Sequence, residues 1–391
     1  MFNHLYNLIL ARLAIMGRAL HGRNYMLFFM GQGVSLIGTW TQRMALGWLV
    51  YRLTGSEWML GVVGFSGQIL TFFFSPIAGV LADRFNKRRL LVITQFVAML
   101  QAFLLATLTL TGVILPWHII VLSLMLGMVN SFDIPIRQSF IIEMLQRRED
   151  LPSAIALNSF MVNGGKIIGP ALAGLLIAVV GEGVCFVING ASFLAVIAAL
   201  LAMQLERRNI PKHYANVLAQ LKEGFTYAFG HIPIRDLLLL LAWVNIMGMP
   251  YAVLMPVFAK DILHGQPQTM GWLMGATGFG AIFGAIFLAS RRNVRGLLKV
   301  IAAAVAMFAV TLIVFANSQS VALSLAMLVV VGFGGMVQMA STNTLIQTLV
   351  DDDKRGRVMS IYAMCFMGMT PLGNLLIGGL AGSYGAPAAL T

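Results

Sequence analysis

Eleven times along the chain, a run of about 20 or more mostly apolar residues is broken off by a short polar or charged stretch, and about 20 residues is the length a helix needs to cross the hydrocarbon core of a bilayer. The runs cover 25–52, 59–82, 89–111, 117–140, 153–180, 184–205, 236–260, 270–290, 297–317, 321–349 and 357–380. Within them apolar residues are continuous rather than alternating, which excludes the strands of a membrane β-barrel. Only 10% of the 391 residues are charged and 59% are hydrophobic. A soluble protein of this length carries about 25% charged residues to solvate its surface. The sequence therefore predicts an all-α, multi-pass protein solvated mainly by the lipid bilayer.

The net charge of +12 is not that of a nucleic-acid groove, because the cations sit in short clusters between the apolar runs. If the N-terminus is cytoplasmic, 22 of the 26 Lys and Arg fall on the cytoplasmic side. Arg52 and Lys260 are left outside, and Arg43 and Lys166 lie within spans. This asymmetry sets the expected orientation, in a cell or inner membrane. Residues 1–24 mix Leu5, Leu8 and Leu13 with Arg12, Arg18 and Arg23, as an interfacial segment does. Six spans over 25–205 are expected to form one bundle. A polar linker over 206–235, with Pro211, Pro233 and a surface helix at 214–229, leads to a second bundle over 236–391. That second part holds five spans, with 386–391 as the start of a sixth, so the twelfth span is expected to be missing or truncated and the C-terminus to lie outside. The halves echo one another: Phe140-Ile141-Ile142-Glu143-Met144-Leu145 and Thr344-Leu345-Ile346-Gln347-Thr348-Leu349 both precede a charged turn, and Pro170 echoes Pro371. Two six-helix bundles related by a pseudo-two-fold along the membrane normal are a transporter architecture.

The most specific motif follows the second span: Gly79-Val80-Leu81-Ala82-Asp83-Arg84-Phe85-Asn86-Lys87-Arg88. It resembles the signature of the major facilitator superfamily, and the resemblance covers essentially the whole chain. The overall pattern is similar to the branch of enterobactin-exporter-like and drug efflux permeases. The resemblance implies that Gly79 allows close helix approach and that Asp83 faces the N-terminus of the eleventh span near Arg357 and Val358. Arg84 would pair with an acid at the end of the fourth span, for which Asp133 is the nearest candidate, beside Arg137. Together with Lys87 and Arg88 these residues form an expected conformational gate that holds the halves together on the cytoplasmic side. A solvated loop that only sets topology is the bland alternative.

The second motif is Gly165-Lys166-Ile167-Ile168-Gly169-Pro170-Ala171-Leu172-Ala173-Gly174 in the fifth span. It is similar to the antiporter motif of the superfamily, with Ala173 in place of a glycine. Gly165, Gly169, Pro170 and Gly174 are therefore candidates for a hinge; a small-residue helix interface is the simpler reading. Glycines and Pro371 at the matching place in the eleventh span predict that spans 5 and 11 are both bent and lie between the halves, near spans 8 and 2. The family's fourth-span arginine has no counterpart in Leu122-Ser123-Leu124-Met125-Leu126-Gly127.

Charges inside a span cost about 3 kcal/mol on insertion scales and so call for a role. Arg43 and Lys166 have no acid near them on their own helices, which predicts a net positive cavity suited to an anionic or polar-amphiphilic molecule. The alternative is that Arg43 snorkels and Lys166 binds carbonyls. Gln42, Asn130, Asn245 and Gln338, on the spans that the family uses to line its path, complete the candidate cavity; each serves equally well as an interhelical hydrogen bond.

No G-x-x-x-x-G-K-[ST] pattern is present to support ATP drive, and no H-E-x-x-H. The six His lie in loops or at span ends, and Cys185 and Cys365 fall in apolar runs. No metal, cofactor or enzymatic activity is expected. The expected function is a secondary exporter, coupled to protons, of a small amphiphilic or anionic molecule such as a siderophore or drug. An uncoupled facilitator, or a membrane scaffold or sensor of the same fold, are the alternatives.

Overall fold

The structure, a computed structural model, describes residues 17–205, 217–291, 294–351 and 354–391, with side chains except at 75–84, 148 and 217–222. Among the described residues the ordered elements are all helices. A tight turn at Arg18–His21 is tied to the body of the protein by the Ala19 N–H, which donates to Ser153 Oγ at 3.2 Å. Six long helices follow: α1 (Arg23–Thr54), α2 (Glu57–Arg84), α3 (Lys87–Leu110), α4 (Pro116–Met144), α5 (Leu151–Val180) and α6 (Glu182–Ala202). The linker carries α7 (Val217–Gly230). Then come α8 (Ile232–Ile262), α9 (Pro267–Ser290), α10 (Leu297–Ala316), α11 (Val321–Leu349), α12 (Arg355–Tyr384) and a short α13 (Ala386–Leu390).

Ten of these are long and apolar enough to cross a membrane, and α1 is the expected eleventh that falls short. Its polar residues explain why: Gln32, Ser35, Thr41 and Gln42 are all buried against other helices rather than facing lipid. At 32 residues it is nonetheless long enough to span. Helix starts are set by proline in the first turn of α4, α5 and α9, where a missing N–H costs nothing. Asn86 caps α3 by accepting from the Arg89 N–H at 3.0 Å.

In the first bundle α1 packs on α5 and α6, α2 on α4, and α3 on α4 and α6. In the second, α11 packs on α9 and α10, and α8 on α12. Two pairs make most of the contact between the halves, α5 with α9 and α2 with α12, and α8 adds smaller contacts to α1 and α2. The main pairs are the fifth span against the eighth and the second against the eleventh.

The helices of the first bundle run without interruption. The fifth span carries Pro170 inside one continuous helix, where a proline removes a ladder hydrogen bond without ending the helix. The eleventh, α12, does break: a π-helical turn at Met364–Gly368 separates Arg355–Ala363 from Met369–Tyr384. The seventh, α8, breaks most. It passes from Ile232–Trp243 through a π turn at Val244–Gly248, a 3-10 segment at Met249–Leu254, one α turn and a second π turn at Phe258–Ile262. Pro250 and Pro256 account for it, since each removes an N–H from the ladder.

The core reveals how the halves meet. At the end of the molecule that carries Arg52 and Glu182, one apolar cluster runs through both bundles, from Met44, Trp48 and Leu49 to Leu254, Phe258, Met270 and Phe308. At the opposite, cation-rich end the core divides. Tyr25, Phe28, Ile136, Phe140 and Leu200 form a cluster of the first bundle alone. Ile234, Leu238, Ile301, Ile346 and Val358 form a separate one in the second. Close backbone contacts follow the same division. A Cβ on Gly61 would lie 2.6 Å from the Asn374 carbonyl, and one on Gly271 would lie 2.7 Å from that of Pro170. Every glycine close approach described between the halves falls between the cation-poor end and mid-helix, the deepest being Gly278 on Ile167 and Gly368 on Phe72. Among the described residues, the halves are joined from the cation-poor end to mid-helix, and their cores divide toward the cation-rich end.

Candidate functional site: a cationic aromatic cleft

Trp40, Arg43 and Gly47 lie at i, i+3 and i+7 on α1 and therefore share one face. Gly47 points at Pro256 and Met270 of the second bundle, at 3.6 and 3.7 Å from a built Cβ. On α5, Lys166, Pro170 and Gly174 lie at i, i+4 and i+8. Gly174 meets Gln268, and Pro170 meets Gly271. Both faces thus look toward the second bundle. One turn nearer the cation-rich end lie Arg43 and Lys166, level with the last described close approach of the halves, Gly278 on Ile167. The Arg43 side chain is exposed although protein surrounds it, the mark of a cleft wall rather than a packed core.

The two cations converge on one ring. Arg43 Cζ lies 4.6 Å from the centre of the Trp40 ring, and Lys166 Nζ lies 5.6 Å from it. Each such contact contributes about 0.5–2 kcal/mol, depending on desolvation. Trp40 is held from behind by α5: a Cβ on Gly165 would meet Trp40 Cδ1 at 3.1 Å, and one on Gly169 would meet Trp40 Cβ at 2.5 Å. The glycines of the second motif therefore let α5 close on α1 within one bundle. Gly174 and Pro170 are the members that touch the other half. Arg43 and Lys166 repel one another, and the ion pairs among the described residues lie elsewhere. Glu182 pairs with Arg52, Glu143 with Lys87, Asp133 with Arg137, and Glu223 with Lys354 and Arg357.

The other candidates scatter. Gln42, next to Arg43 but about 100° away around the helix, turns inward. It donates to Gln101 Oε1 at 3.1 Å and accepts from Asn189 at 2.8 Å. It joins α1, α3 and α6 and is not a cleft residue. Asn130 is half-buried on α4. Asn245 is buried at the first break of α8, where it donates to its own Leu241 carbonyl at 2.8 Å and accepts from Thr370 of α12 at 3.4 Å. Gln338 is buried on α11, donating to Thr342 at 3.4 Å with its Oε1 unpartnered.

Of the first motif, the side chains of Gly79, Asp83 and Arg84 lie outside the described residues. Asp133, the expected partner of Arg84, is buried and occupied: Oδ2 pairs with Arg137 at 3.0 Å, and Oδ1 accepts from Gln95 at 2.7 Å and Thr94 at 3.1 Å. Lys87 binds Glu143 at 2.8 Å, and Arg88 donates to the Leu201 and Met203 carbonyls at the end of α6. These two cations brace the first bundle internally.

Two features escaped the sequence reading. Trp40 passed for one more apolar residue of a span. Tyr51 Oη donates to Asp261 of α8, with Lys260 Nζ 5.5 Å from the centre of the Tyr51 ring. Among the described residues this is the one side-chain hydrogen bond between the halves, and it sits at the joined end.

Residues 20–391 match the transmembrane secretion effector family. The chain belongs to that family, within the major facilitator superfamily. The staphyloferrin A transporter of Staphylococcus aureus is 26% identical over 361 residues, covering 92% of this chain and 89% of that protein. The multidrug efflux pump Tap of Mycolicibacterium fortuitum is 25% identical over 363 residues, covering 91% and 87%. Among solved structures, a bacterial homologue of the human lysosomal transporter Spinster, inward-facing and unoccupied, superposes with a TM-score of 0.72 at 14% identity, over 92% of this chain and 82% of that one. The inward-facing bacterial homologue of ferroportin gives 0.67 at 17% identity, over 94% and 96%. This secretion effector is thus a multi-pass membrane transporter with the superfamily fold.

Proposed function

We propose that this family member exports a small amphiphilic or anionic molecule in exchange for protons, from a cleft that faces the cytoplasm in the state described. The observation that carries the reading is the convergence of Arg43 and Lys166 on Trp40 where the halves part. A charge in mid-membrane is tolerated at a substrate path and costly elsewhere. The concentration of Lys and Arg at the open end makes that end cytoplasmic, so the cleft receives its cargo from inside the cell. The names of the relatives, a siderophore transporter and multidrug efflux pumps, agree with small-molecule cargo.

In the opposite state the joined end must part and the open end must close. The Tyr51–Asp261 hydrogen bond and the Gly61–Gly378 and Gly174–Gln268 contacts are the ones that break. The end of α2 at Asp83 and Arg84, with Lys87 and Arg88 at the start of α3, is the proposed element that holds the cytoplasmic end shut. Asp133 and Asp261, one in each bundle, are the candidate carboxylates for proton exchange, and each would have to give up its present partner, Arg137 or Tyr51, on protonation. The reading is tested in inverted vesicles by proton-gradient-dependent movement of a fluorescent efflux substrate. Uptake that persists unchanged after the gradient is collapsed would make the protein an uncoupled facilitator.

A further inference from the structure

We infer that the Trp40 site takes a dianion: a compact molecule with two negative groups, one for Arg43 and one for Lys166, on a flat apolar body that lies against the indole. This deepens the reading of the cleft as the transport site and rests on it.

The spacing of the two cations is built in. Both are held near the same ring, so their charged atoms are at most about 10 Å apart, the sum of the two distances to its centre. They come from different helices, α1 and α5, whose mutual position is fixed because Trp40 is wedged against Gly165 and Gly169. With about 3–4 Å for each ion pair, two carboxylates a few ångströms apart on one small framework bridge that gap.

The charge count excludes the other classes. No described carboxylate pairs with Arg43 or Lys166, and the described parts of α9 and α11 that face the cleft carry no charged residue. The polar groups of the second bundle near mid-membrane, Asn245 and Gln338, are neutral. A cationic molecule is repelled by both groups. A monoanion forms one of the two ion pairs that the site offers. A dianion satisfies both, with the Arg43 fork able to take a carboxylate through two parallel hydrogen bonds and Lys166 acting as a point charge. The indole supplies the third element, an apolar plane between the two charges.

The full chain in lipid nanodiscs, titrated calorimetrically without any gradient, tests this with phthalate, benzoate and phthalamide as probes. Phthalate should bind about ten-fold or more tightly than benzoate, each lost ion pair costing at least one decade, and phthalamide should not bind. Arg43→Gln and Lys166→Gln should each bring phthalate down to the benzoate level, while Lys166→Arg retains the difference. Trp40→Leu should remove the preference for phthalate over succinate and leave the dianion preference intact. Equal affinities for phthalate and benzoate, no phthalate binding, or unchanged affinity in both Gln variants that still elute as single monodisperse species would overturn the inference. The measurement needs no proton gradient. A carrier that binds phthalate as stated but moves substrate without proton coupling loses the exchange reading and keeps this one; proton-driven efflux without the dianion preference does the reverse.

Discussion

The two bundles repeat one architecture but divide its tasks. The first has six uninterrupted helices and holds Arg43, Lys166, Asp133 and Arg137 within its spans, each braced by packing or hydrogen bonds. The second has neutral polar residues at its middle and breaks its helical ladder in α8 and α12. Irregular backbone is where a helix changes direction at low cost. The difference teaches that one half fixes the chemistry while the other provides compliance. Similar folds at 14–17% identity leave room for that asymmetry, because the fold constrains helix packing and not where the charges sit.

The sharpest way to break the comparison is to put bulk on α5. At Gly169 a side chain would run into the backbone of α1, with Ile37 O at 2.9 Å from a built Cβ. Gly169→Leu should therefore cost well beyond the usual ~1–3 kcal/mol of overpacking and remove most folded protein, read as monodisperse yield on size exclusion. Gly174→Leu, one turn on and facing Gln268, should fold normally but lower efflux about ten-fold or more by holding the joined end apart. If Gly169→Leu folds and transports, α5 is not rigidly seated on α1. The hinge candidates thus divide: Gly165 and Gly169 seat α5 on α1, and Gly174 meets the other half.

A second contrast sets Asp133 against Gln338. Asp133→Asn leaves Arg137 without its partner in a largely buried site, which should cost about 3 kcal/mol, with partial recovery in the Asp133→Asn/Arg137→Gln pair. Gln338→Leu, on the matching helix of the second bundle, removes an amide whose Oε1 is already unpartnered and should cost under about 1 kcal/mol. Thermal unfolding in detergent measures both. Equal losses would show that the second bundle relies on its polar core as much as the first.

Smaller effects probe the seam and the linker. Tyr51→Phe deletes the hydrogen bond to Asp261 and should shift the population toward the state open at that end by about 1 kcal/mol, roughly five-fold. Spin-label distances between the loops after α1 and α8 would report it, and an unchanged distribution would remove Tyr51 from the closing contacts. Glu223 on α7 binds Lys354 at 2.7 Å and Arg357 at 2.5 Å, and its side chain is 47% exposed. Glu223→Gln should change stability by less than about 1 kcal/mol and leave efflux within two-fold. A larger loss would make α7 a working part of the second bundle.

The spans and the fold class were legible because a bilayer demands long apolar helices. The face that each polar residue occupies was not. In a soluble protein an apolar stripe marks the buried side, whereas in a membrane all sides are apolar and the stripe disappears. Gln42 and Arg43 show the result: neighbours in sequence, one joins three helices and the other lines the cleft. Trp40 gave no signal apart from its place three residues before Arg43. The breaks in α8 did have a signal, in Gly248, Pro250 and Pro256, and the sequence reading gave weight only to the equivalent pattern in the fifth and eleventh spans. Pro170 sits inside α5 without ending it, whereas the prolines of α8 fall among its π and 3-10 turns.

The pair of fixed cations beside Trp40 also has an electrical consequence. A unit charge moved across the whole membrane potential exchanges about 2.3 kcal/mol with it per 100 mV. When the first bundle rocks, Arg43 and Lys166 carry two positive charges through part of that field. An empty carrier therefore feels the voltage in every reorientation, and with the cation-rich end cytoplasmic, as proposed, a negative interior favours the state described here. The dianion inferred above would cancel the moving charge, so the loaded form would turn over as a neutral object. The voltage then acts on the resetting step and not on the loaded one, and it returns the empty cleft to the side where cargo waits.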